Sequence, residues 1–428
     1  TTTDQFAGVA ADELVDPRPY CEIIRQWSTF HPEFTYLPRK FKIAVSGAEQ
    51  DRAATLVHDI GLHAVRNVEG EVGFRVIVGG GLGRTPMIGS VIREFLPAKH
   101  ILTYLDAILR VYNRFGRRDN KYKARIKILV KAMTADGFAA KVEEEWSHLK
   151  DGPATVPDGE FARMAEFFTA PAYETLNADD PAFTAKLAES PAFARWVARN
   201  TLKHKVAGYR AVTLSLKATG VPPGDATAEQ LDAVADWADA YSFGELRVSH
   251  EQNLILADVR ETDLFALWEQ ARAAGFATPN IGLLSDIVCC PGGDFCSLAN
   301  AKSIPIAAAI QQRFDNLDYQ HDIGELELNM SGCMNACGHH HIGHIGILGV
   351  DKQGSEWYQV SLGGSQGEHA SLGKVIGPSF AQDAMPDVIE KIIDVYLAQR
   401  HADERFIDTF RRIGVEPFKE KVYAQAAH

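Results

Sequence analysis

The chain has 428 residues, too many for one ordinary core, so two or more domains are expected. Its 46% hydrophobic and 23% charged residues are a soluble globular composition, with no apolar run as long as a membrane span and no basic-then-apolar leader pattern. A net charge of −12 argues against nucleic acid as a general partner, and together these features predict a cytoplasmic, reducing location.

Residues 16–36 carry Pro17, Pro19 and the helical spacing of Tyr20, Ile23, Ile24 and Trp27, stopping at His31-Pro32. Leu37 to Ser46 alternates and is rich in β-formers, so it reads as a strand. On a strand Lys40 and Lys42 point to one face, where two ammonium groups repel unless an anion sits between them. A solvated lysine face is the ordinary alternative. Residues 73–83 form a strand running into Gly79-Gly80-Gly81-Leu82-Gly83, which lacks the G-x-G-x-x-G spacing of a dinucleotide site. Close backbone approach to a large flat cofactor fits it better.

From Ile101 to Val130 the chain is amphipathic and then basic, with Arg110, Arg114, Arg117, Arg118, Lys121, Lys123, Arg125 and Lys127. In an acidic protein this cluster asks for a polyanion; a solvated helix face and nucleic acid are the alternatives. Residues 149–200 turn Asp-, Ala- and Pro-rich, including Asp179-Asp180-Pro181, and read as a linker with short helices. A strand at 205–217, a helix at 227–241, a strand at 245–257 and a helix near 261–274 give a β-α-β-α unit. That is half of a ferredoxin-like sheet, with an open edge.

Five of the six cysteines fall between 289 and 337, and only Cys21, read as core, lies elsewhere. Five residues separate Cys290 from Cys296, and three separate Cys333 from Cys337. Four thiolates on two short loops suit a tetrahedral zinc or an iron–sulfur cluster. A five-residue spacer containing Pro291, Gly292 and Gly293 is wide for zinc and suits a loop around a cluster. Disulfides are the alternative, and nothing in the composition suggests an oxidising compartment. Cys289 fits neither spacing and reads as a buried neighbouring thiol. Gly338-His339-His340-His341-Ile342-Gly343-His344 follows directly, and packing beside a cofactor is favoured over a separate metal site.

The chain also aligns with itself. Phe41–Gly47 matches Leu326–Gly332, and Gly73–Gly83 matches 357–367, with long helical segments expected after each at 99–130 and 384–414. Ala48 then stands where Cys333 does, and Arg52 where Cys337 does.

Cys-x5-Cys followed by Cys-x3-Cys with Asn335 inside the second pair, together with Leu37-Pro38-Arg39-Lys40-Phe41-Lys42, resembles the sirohaem and 4Fe-4S sulfite and nitrite reductases over essentially the whole chain. The resemblance implies an α+β fold of duplicated sirohaem-binding α/β domains plus a ferredoxin-like half domain. The expected divisions are 1–36, an N-terminal remnant and helix; 37–148, the first sirohaem domain; 149–200, a linker; 201–285, the half domain; and 286–428, the second sirohaem and cluster domain. It implies Cys290, Cys296, Cys333 and Cys337 as cluster ligands, with Cys337 bridging to the sirohaem iron and Asn335 beside it. Lys40 and Lys42 would bind the substrate oxyanion and deliver protons. Arg39, Arg117, Arg118, Lys121, Lys123 and Arg125 would meet the cofactor's carboxylates.

The implied reaction is six-electron reduction of sulfite to sulfide, with nitrite to ammonia as the alternative. Electrons would come from a ferredoxin or a flavoprotein, with no nucleic-acid or membrane partner. Thr1 to Gly8 resembles the middle of a family member, so the resemblance also implies that a preceding part, with its arginines, lies outside this sequence. Weak cofactor retention and little turnover are expected of the chain by itself. A non-enzymatic electron-transfer module and a zinc nucleic-acid binder are the readings from other classes.

Overall fold

Among the described residues, short β-branched runs separated by glycine-bearing turns build two five-stranded sheets and one four-stranded sheet. The structure, a computed structural model, describes residues 1–177 and 180–424. Asp179 of the expected linker and the last four residues of the expected 286–428 domain lie outside them. The chain divides into two units, residues 1–174 with 366–370, and residues 175–365 with 371–428.

In the first unit β1 (Thr2–Thr3), β2 (Ile43–Ser46), β3 (Ile60–Arg66), β4 (Val72–Val78) and β5 (Ser90–Pro97) lie side by side in that order. The first three are parallel, and β4 and β5 run antiparallel. Buried Val45, Leu62, Phe74 and Val76 pack with the helix Ile101–Phe115, whose Ile101, Tyr104, Leu105, Ile108 and Tyr112 are also buried.

Two local expectations change here. The strand expected from Leu37 starts only at Ile43, after a 3-10 turn at Phe34–Tyr36 and Pro38, which has no N–H to give a ladder. The helical segment expected over 99–130 breaks into Ile101–Phe115 and Ile126–Met133, with a loop between that holds one 3-10 turn at Lys121–Lys123. Gly116 leaves the helix in an extended conformation, and the Asn120 side chain accepts from Tyr122 N. A continuous helix would also stack Arg117, Lys121 and Arg125 at repulsive i,i+4 spacing.

In the second unit β6 (Thr201–Lys203), β7 (Tyr209–Leu214), β8 (Leu246–Val248) and β9 (Leu254–Arg260) form an antiparallel sheet in the order β6-β7-β9-β8. Helices Ala228–Tyr241, opened by a Thr227–Gln230 capping box, and Leu264–Ala273 accompany it. Phe193, Trp196, Trp237 and Trp268 fill its core. The strand expected at 245–257 is a hairpin instead: Ser249 N donates to Asn253 O at 2.9 Å, and Gln252 takes a left-handed φ of +62°.

The remaining sheet, β10 (Val288–Cys289), β11 (Leu328–Ser331), β12 (Ile345–Lys352), β13 (Ser355–Leu362) and β14 (Lys374–Val375), repeats the first one. Its first three strands are parallel and its last two antiparallel. Ile43 pairs with Ile60 and Ile60 with Val78; Leu328 pairs with Ile345 and Ile345 with Leu362. Gly79 and Gly363 leave the matching strands at the same φ of +84°. Isolated bridges then close matching turns, Gly81 with Met87 and Ser365 with Ser371. The helical segment expected at 384–414 divides into Met385–Gln399 and Phe406–Ile413.

The duplication shows what stands at the cysteine positions in the first copy. Thr3 pairs with Val45 as Cys289 pairs with Met330, so Asp4 takes the place of Cys290. Arg52, in the place of Cys337, donates to Asp4 at 3.0 Å and to both carboxylate oxygens of Asp12 at 2.8 and 2.9 Å. An ion network closes the loops that the second copy leaves to thiols. Gly363→Ala would set a Cβ 1.9 Å from the Phe410 ring at a left-handed φ. It should destabilise the second unit by about 2 kcal/mol or more, read by denaturant unfolding.

Candidate functional site

The cysteine loops of the second unit meet backbone to backbone. Cys290 follows β10 and donates its N–H to Met330 O at 3.1 Å. Gly332 N donates to the Cys290 sulfur at 3.1 Å, and Ser303 Oγ lies 3.8 Å from it. A Cβ on Gly332 would fall 2.7 Å from Gly292 Cα, and one on Gly338 2.0 Å from Met330 O, so only glycine permits this approach. Cys296 N bonds Gly292 O at 2.9 Å. Cys290 and Cys296 are half-buried, Cys333 is buried, and Cys337 and Asn335 are exposed.

No disulfide joins any of these cysteines. Among the described residues no three His, Cys, Asp or Glu side chains gather at the separation one metal ion needs. Four thiols on interlocked loops, with an amide already aimed at one sulfur, fit a 4Fe-4S cluster, which takes one thiolate per iron and whose potential such N–H bonds tune. Exposed Phe295, Leu298 and Met334 on the same loops add an apolar surface beside them.

Cys289 is buried, and burial pushes its thiol far up, as expected of a neighbour rather than a ligand. Cys21 packs against the core of the first unit, with its thiol pushed up to about 12 by burial. In the histidine run, burial lowers His340 to about 3 and His344 to about 4, with cationic or imidazole neighbours adding to it. Glu327 N donates to His344 Nδ1 at 3.1 Å, and the His340 and His341 rings lie 3.9 Å apart.

In the first unit Lys40 and Lys42 stand exposed just ahead of β2, so the period-two argument for a shared face has no strand beneath it. Phe34, Thr35, Leu37, Arg39, Lys40 and Phe41 line a cavity of about 350 Å³. Of the basic loop, Arg117, Lys121 and Lys123 are exposed, Arg117 beside Asp119. Arg118 spans to Tyr36 O at 2.8 Å and Asn113 O at 2.7 Å. Arg39 bonds the Lys121 carbonyl.

Arg125 has an ion-pair partner within the chain. Its guanidinium grips the fully buried Asp59 through both carboxylate oxygens, one at 3.0 Å. Asp59 also accepts from Lys42 N at 2.9 Å, so one buried carboxylate fixes the backbone of one candidate lysine and the head of one candidate arginine. Lys127, buried next to them, donates to Leu82 O at 2.8 Å in the glycine-rich turn. Neither Asp59 nor Lys127 was singled out by sequence, because a lone Asp before an apolar run and one more lysine in a basic stretch carry no spacing signal.

Asp59→Ala strands a mostly buried guanidinium and should cost about 3 kcal/mol in denaturant unfolding. Burial lowers Lys127 from 10.5 to about 8, with Arg125 adding to the shift and Asp59 opposing it. Between these values the unfolded chain binds the extra proton, so Lys127 makes stability rise with pH across that window. The stability difference between wild type and Lys127→Met, measured over a pH series, should show that rise.

The family model described as the nitrite and sulphite reductase 4Fe-4S domain matches residues 1–150 and 283–428, and the nitrite/sulfite reductase ferredoxin-like half domain matches residues 205–274. "Sulfite reductase (ferredoxin) 1" of Mycolicibacterium paratuberculosis is 27% identical, over 94% of this chain and 67% of that protein. "Ferredoxin--nitrite reductase" of Synechococcus elongatus is 28% identical, over 92% and 70%. The solved Mycobacterium tuberculosis NirA protein superposes with a TM-score of 0.73 at 25% identity, covering 98% of this chain and 71% of that one. Among the described residues no helix is long and apolar enough to cross a membrane. With both models accounting for its two repeated sheets and the sheet between them in sequence, the chain belongs to the nitrite and sulphite reductase 4Fe-4S domain family.

Proposed function

We propose that this chain is a ferredoxin-dependent reductase that carries sulfite to sulfide in six electrons, using sirohaem and a 4Fe-4S cluster. The observation that carries this reading is the pair of glycine-locked cysteine loops with a backbone amide on the Cys290 sulfur. The names of the relatives support it, a sulfite reductase and a nitrite reductase that are both named for ferredoxin. Nitrite is therefore the second substrate to assay.

Cys290, Cys296, Cys333 and Cys337 would hold the cluster, and the exposed Cys337 is the thiol with room for a second metal centre. When bound, the two groups supply single-electron transfer and the metal that takes the substrate's sulfur or nitrogen. The residues of this chain do the rest. The exposed Lys40 and Lys42 ammonium groups would bind the substrate's oxygens and donate protons as each oxygen leaves as water. Arg39, Arg117, Arg118, Lys121 and Lys123 would face the cofactor's carboxylates, with Asn335 beside Cys337. Arg125 would act through Asp59, holding Lys42 in place.

The test is an anaerobic visible spectrum with iron and acid-labile sulfide assays. Sirohaem bands and about four cluster irons per chain are expected. Cys333→Ser should abolish the cluster. Lys40→Met and Lys42→Met should retain iron and lower kcat for sulfite by about a hundredfold or more. A colourless chain carrying zinc would overturn the reading.

A further inference from the structure

The turn between β8 and β9 belongs to the half domain, yet its Gln252 side chain reaches the first cysteine loop. Gln252 Nε2 donates to Cys289 O at 2.8 Å, and Cys289 N donates to Gln252 Oε1 at 2.7 Å. These are the two peptide groups of β10 that face away from β11, since Cys290 N, the next in line, is the one that bonds Met330 O. One carboxamide thus pairs both groups on the open edge of a two-residue strand whose next residue is Cys290.

Gln252 is itself held in an unusual backbone conformation to do this. Its φ of +62° is left-handed, which a non-glycine residue keeps only where its surroundings enforce it. Ser249 Oγ accepts from Glu251 N at 3.1 Å and Asn253 N at 3.2 Å, tightening the turn from inside. Beneath it the buried Lys217 ammonium donates to Glu251 O and to Asp286, both at 2.9 Å, and Asn253 Nδ2 donates to the same Asp286 oxygen at 3.2 Å. Asn253 Oδ1 also accepts from Leu216 N at 3.1 Å. A turn anchored to two strands and to a buried ion pair is a rigid mount for one side chain.

We propose that Gln252 is a positioning residue for the cluster, fixing the backbone that aims the Cys290 sulfur. This rests on the reading of Cys290 as a cluster ligand. Gln252 does not touch substrate; it acts through Cys289, whose shift would carry Cys290 and its Gly332 amide contact with it.

The test compares wild type with Gln252→Met, which keeps length and packing but removes both hydrogen bonds, and Gln252→Glu, which keeps the acceptor and sets a carboxylate oxygen against the Cys289 carbonyl. Amide exchange at Cys289, read on cofactor-free protein, should quicken about tenfold in Gln252→Met. On loaded protein the reduced-cluster EPR spectrum should change in both variants, and cluster loss in air should be about threefold faster. If Gln252→Met fails to fold, the Gln252→Glu spectrum decides. Wild-type exchange and EPR in the folded variants would overturn this proposal alone. A wild-type chain without iron and labile sulfide would overturn the cluster reading and this proposal with it.

Discussion

The approach of Gly332 to Gly292 is the constraint on which the second unit's site depends. A backbone amide can lie on the Cys290 sulfur only if no side chain stands between the two cysteine loops. The sheet enforces that closeness from below, because β10 and β11 run parallel and each releases its chain into one of the loops at the same end. The placement of the thiols is therefore a consequence of sheet register, and the glycines are what allow the two cysteine loops to come together.

The cationic side is organised by an opposite means. Lys40 and Lys42 lie ahead of their strand, and the Lys42 backbone is fixed from two sides, its N–H by the buried Asp59 carboxylate and its carbonyl by Ile60 N at 3.1 Å. Asp59 accepts from Arg125 and the Lys42 amide, and Lys127 lies near enough to feel its charge, so one carboxylate draws together cations that would otherwise repel one another. A basic cluster in an acidic protein is tolerable because part of it is internally compensated.

How far the sequence could be read follows from where each signal sits. Cys290, Cys296, Cys333 and Cys337 stand out because paired cysteine spacing is a local signal, and the repeat stands out because both copies keep their glycines. Lys40 and Lys42 were legible as residues, though not in their setting, since Pro38 and the turn before it delay the strand. The basic stretch was legible as charge and misread as a continuous helix, because Gly116 and crowding of like charges end it early. Asp59 and Gln252 were not legible at all. Their partners lie 66 and 37 residues away, and nothing in a single sequence marks a carboxylate or an amide for a distant contact.

The Arg52 network gives the two repeats different dependence on supply. In the first copy, loop closure is complete with side chains the ribosome provides, since Arg52 ties Asp4 to Asp12. In the second, the loops meet through backbone contacts and carry thiols that no disulfide joins, the Gly332 amide lying on the Cys290 sulfur. On the proposed reading of the four cysteines as cluster ligands, iron starvation would leave the first repeat finished and the second with its thiols open to oxidation. The two repeats thus close matching loops with different chemistry, an ion network in the first and thiols in the second, and the vulnerability belongs to the second alone.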